Sequence, residues 1–243
     1  MLNLFRGEVY RIFHKRNTYV YLGAVLLGYL AITFMRSRGF NENSVFTDAS
    51  NVFQFMPALL GGYFFTGIFS DDLTSKNLIT LVGYGTSRVK IVVTKLLLMV
   101  AFSTGAFALL TAVHFGIYAL LGHAATGPVV GFVFAVALQN LLLTIGFAVV
   151  AAIVVYGTQK PTFAAVTYFM LAFNVVTMII RAVTGMLDID LSGRLLSGTA
   201  ANIMLGLVTP GGSGAAPWVE YLAYLALAIG AAIFVFKRRE MEF

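Results

Sequence analysis

Phe69-Ser-Asp-Asp-Leu-Thr-Ser-Lys-Asn-Leu-Ile-Thr-Leu-Val-Gly-Tyr-Gly-Thr-Ser-Arg88, continuing through Val89-Lys90 to Lys95, is a charged stretch joined at both ends to strongly apolar sequence. Charge is costly inside a bilayer, so a polar connector of this length belongs in water. The apolar runs beside it then read as two membrane crossings that reverse direction at the connector. They are continuous rather than alternating with a period of two, which favours helices over a barrel.

Composition agrees with this. The chain has 243 residues, of which 59% are hydrophobic and 11% charged, against about 25% charged for a soluble domain. The formal net charge of +6 does not indicate nucleic-acid binding, because the basic residues gather where apolar runs end. No cysteine is present, which excludes disulfides, thiolate metal sites and thiol catalysis. The first apolar run lacks a small-residue cleavage pattern after it and follows a charged helix, so no cleaved signal peptide is expected.

About six runs approach the roughly 20 residues that a crossing needs: Tyr19–Met35, Val52–Phe69, Ile91–Leu121, Val129–Tyr156, Phe163–Val183 and Trp218–Phe236. The third and fourth exceed the requirement and are expected to tilt or project into water. Glycines such as Gly61, Gly62, Gly67, Gly105, Gly116 and Gly146 suit close helix contact, and Pro57 is expected to bend the second span. The fold class is therefore an all-α integral membrane protein, residues 1–243 forming one transmembrane domain.

Basic residues set the orientation. Arg6, Arg11, Lys15, Arg16, Lys76, Arg88, Lys90, Lys95, Lys160, Lys237, Arg238 and Arg239 fall on one side, and only Arg36, Arg38, Arg181 and Arg194 on the other. The positive-inside rule places both termini and the connector in the cytoplasm.

Residues 1–17 read as an amphipathic interfacial helix. Leu2, Phe5, Val9, Ile12 and Phe13 recur at near-helical spacing, while Glu8, Arg11, His14 and Lys15 take the other positions. The plainer alternative is a basic topogenic flank. Residues 187–217, on the outer side, are too short and polar for another span. They suit a re-entrant or surface-lying helix followed by the Gly-rich turn after Pro210.

Catalytic signatures are missing. His14, His114 and His123 are dispersed, and no H-E-x-x-H, paired-carboxylate, P-loop or G-x-S-x-G pattern occurs. The chain is read as binding no metal or cofactor. No span has an acid near its middle, which weakens a proton-coupled carrier. Lys95 is the deepest cation on the inner side, placed to snorkel back to the cytoplasm. Gln54, Gln139, Asn140 and Asn174 are neutral polar residues within spans. They are candidates for a substrate pathway or, more commonly for this residue type, for bonds between helices.

In the connector, Asp71 and Asp72 precede helix-compatible residues, so a short helix around Asp72–Leu81 is expected, with acids complementing its dipole. Gly83 and Gly85 would stop it, and Ser87-Arg88 would start the next helix. The plain reading is a solvated loop. The order of apolar span, acids, Thr74-Ser-Lys-Asn-Leu-Ile79, Ser87-Arg88 and a later Lys95 resembles the permease subunits of type-2 ABC exporters. The amphipathic start, the outer segment and the Phe236-Lys-Arg-Arg-Glu240 tail resemble that family in layout. Asp71-Asp72 stands where that family commonly has Glu, and Thr74-Ser75 where it has Gly-Thr. The compact size looks most like permeases of bacteriocin-immunity or peptide-export systems.

The resemblance implies a bacterial plasma-membrane permease that moves a hydrophobic or amphipathic substrate. Partners would be cytoplasmic ABC ATPase subunits carrying ATP and magnesium, a second identical or homologous permease, and membrane lipids. Residues 70–90 would be the coupling segment. Asp71, Asp72, Lys76 and Asn77 would be its ATPase contacts, with Glu8 and Arg11 as a second contact, and Arg88 would pin the connector to lipid phosphate or to the N-terminal helix. The rival classes are an energy-independent receptor, immunity or scaffold protein, and a secondary carrier.

Overall fold

The computed structural model describes residues 2–37, 49–75, 77–120, 126–187, 191–209, 212 and 214–239, and among them every regular element is a helix. We number them α1 (Leu2–Phe13), α2 (Arg16–Ser37), α3 (Ala49–Thr74), α4 (Asn77–Gly83), α5 (Arg88–Leu120), α6 (Gly127–Thr158), α7 (Pro161–Ala172), α8 (Val175–Met186), α9 (Leu196–Val208) and α10 (Ala216–Arg238). Five of them, α2, α3, α5, α6 and α10, are long and apolar enough to cross a membrane, and the bent pair α7–α8 makes six if the pair is one broken span. The all-α membrane architecture expected from the sequence is the one observed. α1, the connector and the end of α10 lie together at one end of the bundle, called the terminal end below.

α6 is the central post, packed against α5, α7, α9 and α10. Its buried face is rich in small residues, Ala135, Ala137, Gly146, Ala148, Ala151 and Ala152, which let neighbouring helices approach closely. A Cβ on Gly146 would stand 2.6 Å from a methyl carbon of Leu196 in α9. At 33 and 32 residues, α5 and α6 run about 50 and 48 Å at 1.5 Å per residue. They therefore project past a hydrocarbon layer of about 30 Å.

α3 is irregular. Two π-helical stretches, Pro57–Gly61 and Thr66–Ser70, interrupt it. Pro57 has no N–H to give to the preceding turn, and the Thr66 hydroxyl donates back to the carbonyls of Gly62 and Tyr63. The bend expected at Pro57 is thus a change of helix type. Tyr168 of α7 donates to the Pro57 carbonyl at 2.8 Å and stacks on Phe65, ring centroids 4.7 Å apart. Such a ring pair is worth about 0.5–1.5 kcal/mol.

Two expectations are corrected here. The fifth span is not one helix over Phe163–Val183: it breaks at Phe173–Asn174, and α8 turns 62° away from α7. Asn174 sits at φ 58°, a left-handed conformation that Asn tolerates better than other side chains. Nor is Asp72–Leu81 one connector helix. α3 continues through Asp71 and Asp72 to Thr74, and α4 begins only at Asn77. The acids therefore sit at the last turn of a span, where the helix dipole opposes them.

The expected stop and restart are observed. α4 ends at Gly83, Gly85 takes φ 77°, and the Tyr84, Gly85 and Thr86 amides close the turn onto Thr80, Val82 and Leu81. Ser87 then precedes α5, its hydroxyl oxygen accepting from the Lys90 amide.

The segment over 187–217, described in part, holds α9. Its first turn lies deep: Leu196 seats on Gly146, and the Tyr224 hydroxyl donates to the Arg194 carbonyl. Gly146 is roughly 18 Å along α6 from the terminal end. From there α9 runs to the far end, from which α10 returns.

Candidate functional site: a buried ion network beneath a polar cavity

α1 docks its inner face on the junction of α3 and α5. Ile12 is buried there, and Thr18, just past the helix, donates its hydroxyl to the Ile12 carbonyl at 2.9 Å. The contact is more than apolar, because Glu8, assigned from the sequence to the polar face, is buried. Arg11 Nη2 lies 2.6 Å from Glu8 Oε2, and Arg11 Nη1 lies 2.7 Å from Asp72 Oδ1. Lys95 Nζ lies 2.9 Å from Glu8 Oε1 and also pairs with Asp72 Oδ2. Two acids and two cations from three elements thus close a charge-neutral ring.

The side chains of Lys95 and Asp72 are each 1% exposed and that of Glu8 is 5% exposed. The expected snorkelling of Lys95 is therefore corrected: it turns inward because two carboxylates wait there, one held out by α1. The ring also explains how acids persist at the C-terminal turn of α3. Their unfavourable position against the dipole is offset by cations at contact distance.

Further bonds spread from the ring. Arg11 donates to the Gly67 carbonyl at 3.2 Å, within the second π stretch, and Asn77 reaches Asp72 at 3.4 Å. Asp71 pairs with Lys15, both side chains being nearly half exposed. Lys76 lies outside the described residues. Glu8, Asp72 and Arg11 are thus joined to one another; Asp71 is at the surface, while Glu8 and Asp72 offer no surface for a partner to touch.

Arg88 is corrected in its partner. Its Nη1 donates to the carbonyls of Phe236, Lys237 and Arg239 at 2.6, 3.1 and 2.7 Å. Its guanidinium also lies 5.4 Å from the Phe236 ring centroid. The last carbonyls of a helix lack intrahelical donors, so Arg88 caps α10 and anchors the start of α5 to it. Among the described residues its partner is α10 rather than α1.

One feature of this end is not evident from residue pattern alone. Tyr84, at the tip between α4 and α5, is 85% exposed. The available signal was an aromatic flanked by Gly83 and Gly85: a turn that excludes the ring from packing.

Deeper in the bundle, a cavity of about 320 Å3 opens between α3, α6, α7 and α9. Gln54, Gln139, Asn140 and Asn174 all line it, together with Ser50 and Ser197. The four neutral polar residues noted along the sequence are thus brought to one place. Asn140 spends an amide N–H on the Val136 carbonyl of its own helix, at 2.9 Å. The Ser197 hydroxyl is buried and has no hydrogen-bond partner among the described residues. Pro57, Phe147 and Met204 supply apolar wall.

The cavity lies where the helices are least regular. Gln54 is in a turn just before the first π stretch, and Asn174 is the left-handed residue of the α7–α8 break. Irregular backbone at membrane depth is tolerated where it is buried or lines a polar cavity. Gly61 keeps the wall tight: a Cβ there would fall 2.0 Å from the Tyr168 hydroxyl and 2.7 Å from Thr144 Cγ2.

The described histidines, His14 and His114, take no part in the ring or the cavity. His114 is buried on α5, its Nδ1 hydrogen-bonded to the Tyr29 hydroxyl at 2.6 Å, and His123 lies outside the described residues. Among the described residues no three His, Asp or Glu side chains gather as a metal site. No protein-family model matches the chain, and no curated protein matches it.

Proposed function

We propose that the chain is the membrane-spanning permease subunit of an ATP-driven exporter, energised by separate ATPase subunits, with the cavity as part of the cargo path. The observation that carries this reading is the ion ring. It makes α1, the end of α3 and the start of α5 one stiff unit at the terminal end. The exposed tip at Tyr84 and the half-exposed Lys15–Asp71 pair extend from that unit.

The basic residues at this end support a cytoplasmic position for it. A partner pressing on the tip would move α3 and α5 together, and α3 carries Gln54 and Pro57 into the cavity wall. In this reading Glu8, Arg11, Asp72 and Lys95 transmit force internally rather than touching the ATPase, and Tyr84 and Asp71 make the contact. Among the described residues the cavity offers amides and hydroxyls and no charge, which suits a neutral or amphipathic cargo with hydrogen-bonding groups, such as a hydrophobic peptide. A second permease copy, in a bacterial plasma membrane, would complete the path.

The test is co-purification with any P-loop ATPase encoded in a neighbouring reading frame and measurement of ATP hydrolysis in reconstituted membrane. Tyr84→Ala is expected to lower ATPase association or cargo-stimulated hydrolysis severalfold while the bundle stays folded. Full association and transport in Tyr84→Ala and Asp71→Asn alike would remove the contact surface. Absence of any associated ATPase would favour an energy-independent receptor, immunity or scaffold protein.

A further inference from the structure

Two cavities adjoin at the elbow between α1 and α2, sharing Thr18 and Phe64 as wall residues. The first, about 550 Å3, has a mixed wall, with Lys15, Arg16, Asn17 and Tyr63 beside Ile12 and Phe64, and is the more polar of the two. The second, about 600 Å3, is an apolar groove between α1, α2 and α5, reaching from Val9 to Leu109. Polar wall thus gives way to apolar wall across one pair of side chains, at the end of the bundle where the spans begin.

The groove is open space rather than a packed seam. Gly23 of α2 and Gly105 of α5 line it, and a Cβ on either would meet nothing within 4 Å. Charge in the polar cavity is unequal. Asp71 lies in its wall but is paired with Lys15, whereas Arg16 is exposed and no described acid pairs with it. Around the elbow Arg6, Arg11, Lys15 and Arg16 face only Glu8 within the first 16 residues, and Arg11 and Glu8 are already engaged. The surplus is positive.

We infer that the elbow binds one anionic phospholipid, its phosphate on Arg16 in the polar cavity and an acyl chain in the Val9–Leu109 groove. The guanidinium supplies the donors a phosphate accepts, and a basic site at the membrane surface favours anionic over zwitterionic headgroups. Among the described residues the only acid in the polar cavity is Asp71, which Lys15 occupies, so a choline ammonium finds no described counter-charge there. The lipid would press α1 onto α3 and α5 from the side opposite the ion ring. This site does not depend on an ATPase driving the chain.

The experiment uses the full chain, purified and delipidated in detergent, with dioleoyl phosphatidylglycerol or dioleoyl phosphatidylcholine added back. Retained lipid is counted by native mass spectrometry. The wild type should keep one phosphatidylglycerol per chain and prefer it about fivefold over phosphatidylcholine, as one basic contact at a membrane surface implies. Arg16→Gln should abolish the preference but keep the lipid. The pair Gly23→Leu and Gly105→Leu, which fills the groove, should lose the lipid and unfold at the same temperature as delipidated wild type.

An unchanged preference in Arg16→Gln, a surface change that leaves the bundle intact, would overturn the headgroup site. Retention of the same lipid by the groove-filled chain would overturn the acyl site. Displacement by inorganic phosphate alone would assign the cations to a free anion. Conversion from dimer to monomer on filling the groove would assign it to a second copy of the chain.

Discussion

The ion ring and the polar cavity are both polar sites inside an apolar bundle, yet they are built in opposite ways. In the ring, four charges from α1, α3 and α5 meet at contact distance and neutralise one another. In the cavity, four carboxamides and two hydroxyls surround about 320 Å3, with no charge among the described residues that line it. Full charges at low dielectric are tolerable only when paired, so they lock the elements that bring them. Neutral amides cost less to leave partly unpaired, so they can line space that something else enters. The contrast separates a rigid joint from an adaptable path.

The largest expected effect breaks the joint. Lys95→Met leaves Glu8 and Asp72 with one cation between them and should cost about 3–5 kcal/mol of stability, read as a fall in the thermal or denaturant midpoint in detergent. Adding Glu8→Gln restores neutrality through Asp72 and Arg11 and should recover most of that loss. Equal stability of single and double variants would mean that the ring is not a closed unit.

Next is the wall between the two regions. Gly61→Ala should cost about 1–3 kcal/mol by overpacking, because the new methyl displaces Tyr168 from the Pro57 carbonyl. Tyr168→Phe made on the Gly61→Ala background should relieve part of the strain, and no relief would locate the clash elsewhere.

In the cavity itself, Gln139→Leu should change stability by less than about 1 kcal/mol yet alter cargo binding or transport severalfold. A change in stability without a change in function would make the cavity structural and erase the comparison. The smallest effect belongs to the exposed partner of the ring. Lys15→Ala breaks the half-exposed pair with Asp71, should cost less than about 1 kcal/mol, and should lose even that in high salt.

Much of the architecture was legible from local chemistry. The apolar runs announced their crossings, Gly83 and Gly85 marked the stop of α4, and Ser87-Arg88 marked the start of α5. The residues of both sites were also named in advance, but not their relations. Lys95 was read as snorkelling because one charge beside an interface has that easy solution; nothing local says that Glu8 arrives from 87 positions away. Arg88 was given to lipid or α1 because its true acceptors are backbone carbonyls near residue 236, invisible in side-chain patterns. The break at Asn174 was hidden because apolar residues continue on both sides of it.

By itself the sequence determined that this is a helical membrane protein, roughly where its apolar runs lie, and which polar residues it places among them. Hydrophobicity, turn chemistry and charge placement act over a few residues, so one chain suffices to read them. Only the tertiary structure decided that Glu8, Arg11, Asp72 and Lys95 form one ring and that Gln54, Gln139, Asn140 and Asn174 share one cavity. Those outcomes depend on helix packing across distant positions, where desolvation forces each buried charge to find the partner that geometry brings.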